Sequence, residues 1–210
     1  MNAEALLLYA VTDRQWLHGR SLAECVAAAI AGGVTMVQLR EKHVSDAEFI
    51  QIAQTIQPLC RQAHIPFIIN DNLAVAQAVH ADGLHIGQND QAAAVVRAAL
   101  SPHQLLGVSA QTVDEALAAQ AAGADYLGVG AVFATDTKAD AVDVPLATLT
   151  AITQAVHIPV VAIGGIHPDN LDQLADTGVA GVALVSEIFA AKAIAANARQ
   201  LHQHLSSLFG

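Results

Sequence analysis

Aromatic side chains are scarce here, 4% of the 210 residues against 54% hydrophobic residues overall. Such a chain cannot build its core around large rings; alanine-rich helices packed closely on aliphatic strands are what it can build. Positive charge is nearly as scarce. Nine Lys and Arg face nineteen Asp and Glu, for a formal net charge of -10, which excludes the basic footprint that a nucleic-acid backbone demands. There are two cysteines, Cys25 and Cys60, in helical patterns with no paired spacing. A disulfide framework or a zinc site is therefore not expected, and both read as buried thiols. No apolar run approaches the roughly 20 residues of a membrane span. The N-terminus lacks the basic region, apolar run and small-residue cleavage site of a secretory signal. The reading is a soluble, cytoplasmic protein that neither spans a membrane nor binds nucleic acid.

What the chain does contain is one unit repeated. Short aliphatic runs at residues 6–11, 34–40, 67–69, 83–86, 105–108, 125–129, 159–163 and 181–185 alternate with helical patterns at 21–31, 45–64, 73–79, 91–100, 113–122, 145–155, 169–177 and 187–204. Strands that are apolar on both faces, each followed by a helix, predict a parallel sheet covered on both sides. Eight such units in 210 residues predict an α/β fold, a (β/α)8 TIM barrel occupying residues 1–210 as one domain. The rival is an open doubly wound sheet, but the first strand-to-helix turn, Val11-Thr12-Asp13-Arg14, has no glycine fingerprint for a dinucleotide. A faint internal echo favours the barrel: His64-Ile65-Pro66 precedes the third strand and His157-Ile158-Pro159 the seventh, four units later.

In a barrel the loops after the strands share one mouth. After strand two, Gln38, Arg40 and Lys42 alternate along an extended backbone and so face the same way. Asn70 and Asp71 follow strand three, and Gln88 and Asp90 follow strand four. Arg40, Lys42 and Lys138 are three of the nine cations, and gathering them beyond strand ends points to a small anionic ligand. Asp71 and Asp90 suit a hard divalent cation with oxygen ligands, or else each caps the helix it precedes. The Gly164-Gly165 turn and Val185-Ser186, after strands seven and eight, stand where barrels often bind phosphate. Residues 133–143 lack periodicity and read as a lid carrying hydroxyls and Lys138. Of the ten histidines, His85 lies inside strand four and reads as a hydrogen-bonded barrel residue outside the site.

The motifs Gln38-Leu39-Arg40-Glu41-Lys42, Ile69-Asn70-Asp71, His85-Ile86-Gly87-Gln88-Asn89-Asp90, Gly107-Val108-Ser109, Thr135-Asp136-Thr137-Lys138, Ile163-Gly164-Gly165-Ile166 and Val185-Ser186, in that order, resemble the thiamine phosphate synthase family over nearly the whole chain. The resemblance implies a transferase that joins an aminopyrimidine methyl diphosphate to a thiazole phosphate, or its carboxylated form, releasing pyrophosphate. It implies that Gln38, Arg40, Lys42, Asn70, Ser109 and Lys138 hold the pyrimidine diphosphate, with Arg40, Ser109 and Lys138 catalytic. Thr135, Thr137, Gly165, Val185 and Ser186 would receive the thiazole phosphate, and Leu39, Glu41 and Asp136 join the substrate-binding set. Asp71 and Asp90 would bind one Mg2+ per subunit. The partners it implies are small molecules, with room for a homo-oligomer. Similar sequences usually read Gly-Pro-Ile-Phe-Pro-Thr where this one has Gly130-Ala131-Val132-Phe133-Ala134-Thr135; Gln111 replaces a common histidine, and Asn72 a common arginine. Two other classes stand beside this one: a thiazole tautomerase, which would not need the Arg40, Lys42, Asp71 and Asp90 set, and a non-enzymatic phosphate-ligand binder on the same barrel.

Overall fold

Short polar side chains start several of the helices. Ser21 accepts from the Glu24 N–H at 3.2 Å while Glu24 reaches back to the Ser21 N–H at 3.0 Å, a capping box that opens α1 (Leu22–Ala31). Gly33, at φ +104°, turns the chain out of it toward the second strand. Ser45 caps α2 (Asp46–Ala63), accepting from the Glu48 N–H at 3.3 Å, with Asp46 and Glu48 in the first turn, where the helix macrodipole favours acids. A computed structural model describes residues 2–134 and 143–210.

The strands are β1 (Leu8–Val11), β2 (Met36–Leu39), β3 (Phe67–Asn70), β4 (Gly83–Ile86), β5 (Leu105–Ala110), β6 (Tyr126–Val129), β7 (Val160–Ile163) and β8 (Gly181–Leu184). Each pairs in parallel with the next, and β8 pairs with β1, so the sheet closes. Between them run α3 (Leu73–Ala78), α4 (Ala93–Ala99), α5 (Val113–Ala121) and α6 (Leu146–Ala155); α7 (Ser186–Phe189) and α8 (Ile194–Phe209) follow β8. This is the expected (β/α)8 barrel. The His-Ile-Pro echo falls at equivalent places, since Pro66 and Pro159 carbonyls accept from Val37 and Leu127 on the preceding strands at 3.1 and 3.0 Å.

Two sets of buried side chains divide the core. The larger lies between strands and helices and includes Val37, Leu39, Leu84 and Leu127. The smaller fills the barrel itself with Leu6, Tyr9, Met36, Ile68, Tyr126, Val161 and Ala183. Along the inward rows, an apolar lower layer gives way to Gln38, Asn70, His85 and Ser109 nearer the strand C-termini. Water is kept from the bottom, and the polar layer is presented at the top.

Three elements differ from the sequence reading. The first strand was expected from residue 6, but Ala3–Leu6 forms a 3-10 turn that tucks Leu6 under the barrel. The helix expected at 169–177 is a 3-10 turn, Leu171–Leu174, because Asn170 is bound into the preceding loop: its Nδ2 donates to the Gly165 carbonyl at 2.8 Å and its Oδ1 accepts from the His167 N–H at 2.8 Å. The last helix, expected unbroken, splits into α7 and α8. Arg20 occupies the break, donating to the carbonyls of Phe189 and Ala191 at 2.6 and 2.8 Å, as well as to Leu17 at 2.9 Å. Among the described residues no helix is long and apolar enough to cross a membrane.

Candidate active site

At the C-terminal ends of the strands opens a cavity of about 690 Å³, a size suited to a small-molecule ligand. Of the residues singled out from sequence, Gln38, Arg40, Lys42, Asn70, Asp71, Asp90, Ser109, Gly165, Val185 and Ser186 line it. Thr135, Asp136, Thr137 and Lys138 lie outside the described residues. Leu39 and Glu41 are not brought to the cavity. Leu39 is fully buried on the helix side of β2, and Glu41 turns back to Arg14, whose Nε and Nη2 both lie 2.9 Å from its Oε2. Alternation along an extended strand explains both, since residues 39 and 41 point opposite to 38, 40 and 42. Burial pushes the Glu41 carboxyl above its usual range, with the Arg14 charge pulling the other way.

Arg40 is aimed rather than loose. Its Nη1 lies 3.1 Å from Asp13 Oδ2, and its backbone N–H donates to Thr12 Oγ1 at 3.0 Å, so the loop after β1 holds the guanidinium at the rim. Lys42 Nζ stands 4.0 Å from Asp71 Oδ2. Asp71 adopts a left-handed backbone at φ +61°, which Asp tolerates better than most residues.

Neither Asp71 nor Asp90 caps a helix. Asn72 caps α3, accepting from the Val75 N–H at 2.9 Å, and α4 has no side-chain cap; Asp90 Oδ2 instead accepts from the Gly87 N–H at 2.7 Å. The capping alternative is thereby removed. Burial, then the hydrogen bond and negative charge of Asp90, raise the Asp71 carboxyl from its ordinary 3.8 to about 6, against a smaller opposing pull from Lys42. Two carboxylates pressed together in a cavity are a donor set that a hard divalent cation would satisfy. Among the described residues no group of three His, Cys, Asp or Glu side chains could enclose a metal, so a cation held by this pair would keep water or ligand oxygens, as Mg2+ does.

On the opposite wall, Gly164 and Gly165 turn with φ +96° and +61°, and a Cβ on Gly165 would collide with the carbonyls of Phe133 and Ala134. Only glycine fits there. Val185 occupies the N-cap of α7 without a side-chain cap bond, so Ser186 is the first helical residue, not the cap. The first N–H groups of a helix have no acceptor within it.

Sequence reasoning left out several cavity residues, His85 and Trp16 among them. His85 is 8% exposed, lines the cavity, and bonds on both ring nitrogens: Nδ1 lies 3.1 Å from the Tyr126 hydroxyl and Nε2 3.0 Å from Ser109 Oγ. Burial lowers its pKa to about 4, so it is neutral at physiological pH. The expectation that it is hydrogen-bonded holds, but it touches the site as well. Inward-facing glycines on the adjoining strands were the available signal, because a Cβ at Gly107 would strike the His85 ring and the Tyr126 ring, and one at Gly128 would stand 3.1 Å from His85 Cε1. Trp16 also lines the cavity, and its buried indole N–H has no acceptor among the described residues.

Residues 8–188 match the family model described as thiamine monophosphate synthase. A thiamine-phosphate synthase of Clostridium tetani is 50% identical over 86% of this chain and 87% of its own length. One from Ruminiclostridium cellulolyticum is 49% identical over 92% of each. The solved thiamine phosphate pyrophosphorylase of Pyrococcus furiosus superposes with a TM-score of 0.90 at 36% identity, covering 99% of both chains. With matches of this extent, and the strand-end residues assembled on one cavity, the chain belongs to the thiamine monophosphate synthase family and is a transferase of thiamine biosynthesis.

Proposed function

We propose that this chain condenses 4-amino-2-methyl-5-hydroxymethylpyrimidine diphosphate with 4-methyl-5-(2-hydroxyethyl)thiazole phosphate, giving thiamine phosphate and pyrophosphate by dissociative substitution. The observation that carries the reading is one cavity with two unlike walls: Arg40, Lys42, Asp71 and Asp90 on one side, and the Gly164-Gly165 turn with the start of α7 on the other. Such walls suit two phosphorylated substrates bound face to face.

Arg40 and Lys42 bind the diphosphate oxygens, where negative charge grows as the methylene C–O bond breaks and its electron pair leaves with pyrophosphate. Asp71 and Asp90 would hold Mg2+, which neutralises leaving-group charge when bound. Ser109 binds the diphosphate as well, and Gln38 and Asn70 orient the pyrimidine, whose amino group donates electron density to the cationic methylene carbon. The thiazole nitrogen then supplies the lone pair for the new C–N bond. Gly165, Val185 and Ser186 anchor the thiazole phosphate and keep that nitrogen close. By the family resemblance Lys138 would also hold the diphosphate and Thr135 and Thr137 the thiazole phosphate, with Asp136 in the substrate-binding set. No protein nucleophile takes part. The unpaired, buried thiols of Cys25 and Cys60 suit a reducing cytoplasm.

The test is formation of thiamine phosphate by the purified chain from the two substrates, with Mg2+ and again with EDTA. Metal-dependent product is the expected result. Product unaffected by EDTA would overturn the carboxylate role, and a folded protein that binds thiazole phosphate yet makes no product would overturn the synthase reading.

A further inference from the structure

Five side chains from five strands form one hydrogen-bonded line through the barrel. Gln38 Nε2 donates to the Tyr9 hydroxyl at 2.6 Å, Tyr9 and Tyr126 hydroxyls meet at 2.8 Å, Tyr126 meets His85 Nδ1 at 3.1 Å, and His85 Nε2 meets Ser109 Oγ at 3.0 Å. Tyr9 and Tyr126 are 1% and 0% exposed. Their rings stand edge to face with centroids 6.0 Å apart.

Buried protons must each find an acceptor. The Tyr9 oxygen has two polar neighbours among the described residues, and one of them, the Gln38 amide nitrogen, can only donate. If Tyr126 donated to Tyr9, the Tyr9 proton would be left buried and unpaired. The arrangement that satisfies every group runs one way. Tyr9 donates to Tyr126, Tyr126 donates to His85 Nδ1, and the proton on His85 sits on Nε2 and is given to Ser109 Oγ. Ser109 has then spent an oxygen lone pair inward, and its own proton faces the cavity it lines.

We propose that Tyr9, Tyr126 and His85 are positioning residues that lock the Ser109 hydroxyl as a hydrogen-bond donor toward the bound substrate's diphosphate. A serine without this relay would rotate, and could turn its proton inward to an imidazole nitrogen, presenting the anion with lone pairs instead. The glycines at 107 and 128 make room for the line, since a Cβ at Gly107 would strike both Tyr126 and His85. The kinetic consequence rests on the proposed reaction; the direction of the relay does not.

Two measurements test it. In protein labelled with 15N-histidine, the His85 ring, identified by its disappearance in His85→Gln, is expected to carry its proton on Nε2 with Nδ1 bare. A proton on Nδ1 in the wild-type protein would overturn the relay whether or not the chain makes thiamine phosphate. The second is a double-mutant cycle in turnover. Tyr126→Phe is expected to lower kcat by about tenfold, the scale of one hydrogen bond to a charged oxygen, and to cost less than about twofold once Ser109→Ala is present. Equal losses in both backgrounds would show that Tyr126 acts without Ser109 and would refute the proposal. If Tyr126→Phe fails to fold, Tyr9→Phe serves in the same cycle with the same two outcomes.

Discussion

Replacing Asp71 by asparagine should stabilise the metal-free protein at neutral pH while removing one ligand of the proposed Mg2+ site. The native carboxyl is held near 6 rather than at its ordinary 3.8, first by burial and then by Asp90. A folded-state pKa raised above the unfolded value means that the folded chain binds the proton more tightly. The stabilisation from that proton is fully present below about pH 4 and is lost as the pH rises through about 6. A displacement of this size corresponds to about 3 kcal/mol. The Asp71 side chain keeps 35% exposure, so solvent screening reduces the expected effect to about 1–2 kcal/mol. Asparagine mimics the protonated form in shape and charge, and it tolerates the left-handed backbone at φ +61° as aspartate does.

The assay is thermal unfolding of both proteins in EDTA from pH 4 to 7.5. The Asp71→Asn protein should melt about 2–8 °C higher at pH 7.5, at about 2–4 °C per kcal/mol for a domain of this size, and the two should converge near pH 4. The comparison must be a difference, because His85 acts in the opposite sense. Its pKa is lowered from 6.5 to about 4, so its contribution is lost as the pH falls below 6.5 in both proteins and cancels. Saturating Mg2+ should then raise the wild-type melting temperature and leave the variant nearly unmoved. Parallel pH curves, or a variant less stable at pH 7.5, would refute the claim that the two carboxylates are held against each other.

Gly107→Ala should destabilise the barrel by about 1–3 kcal/mol in urea unfolding, the scale of overpacking, because the new Cβ meets Tyr126 and His85; an unchanged midpoint would show that the interior has slack. Arg20→Leu should cost about 3 kcal/mol by the same measurement, since the carbonyls of Phe189 and Ala191 at the break between α7 and α8 lose a charged donor, and a loss under about 1 kcal/mol would mean that the break holds itself.

The barrel was legible because its strands are short, mostly aliphatic runs with few polar residues inside them, and because glycines and polar caps mark several helix boundaries. The failures share a cause. Local pattern sees residues near in sequence, whereas Arg20 breaks the last helix from 169 residues away in the chain. The 3-10 turn at Leu171–Leu174 follows from what Asn170 binds in the loop after β7, which no periodicity records.

The site was legible to the depth of one strand rule. Alternation placed Gln38, Arg40 and Lys42 together, and the same rule argues against Leu39 and Glu41, which entered through the resemblance of a contiguous motif. A motif is written along the chain, but a site is read across the sheet. His85 shows the converse: taken alone it was an ordinary buried histidine, and only the empty space at Gly107 and Gly128 on the two following strands reveals what it is packed to meet. The shortage of aromatics gains meaning in the same way. The chain has two tyrosines, and both lie inside the barrel with hydroxyls joined. Phenylalanine would fill nearly the same volume without desolvating a hydroxyl, so packing does not account for the choice. A single hydrogen-bonded line ending at a cavity serine does.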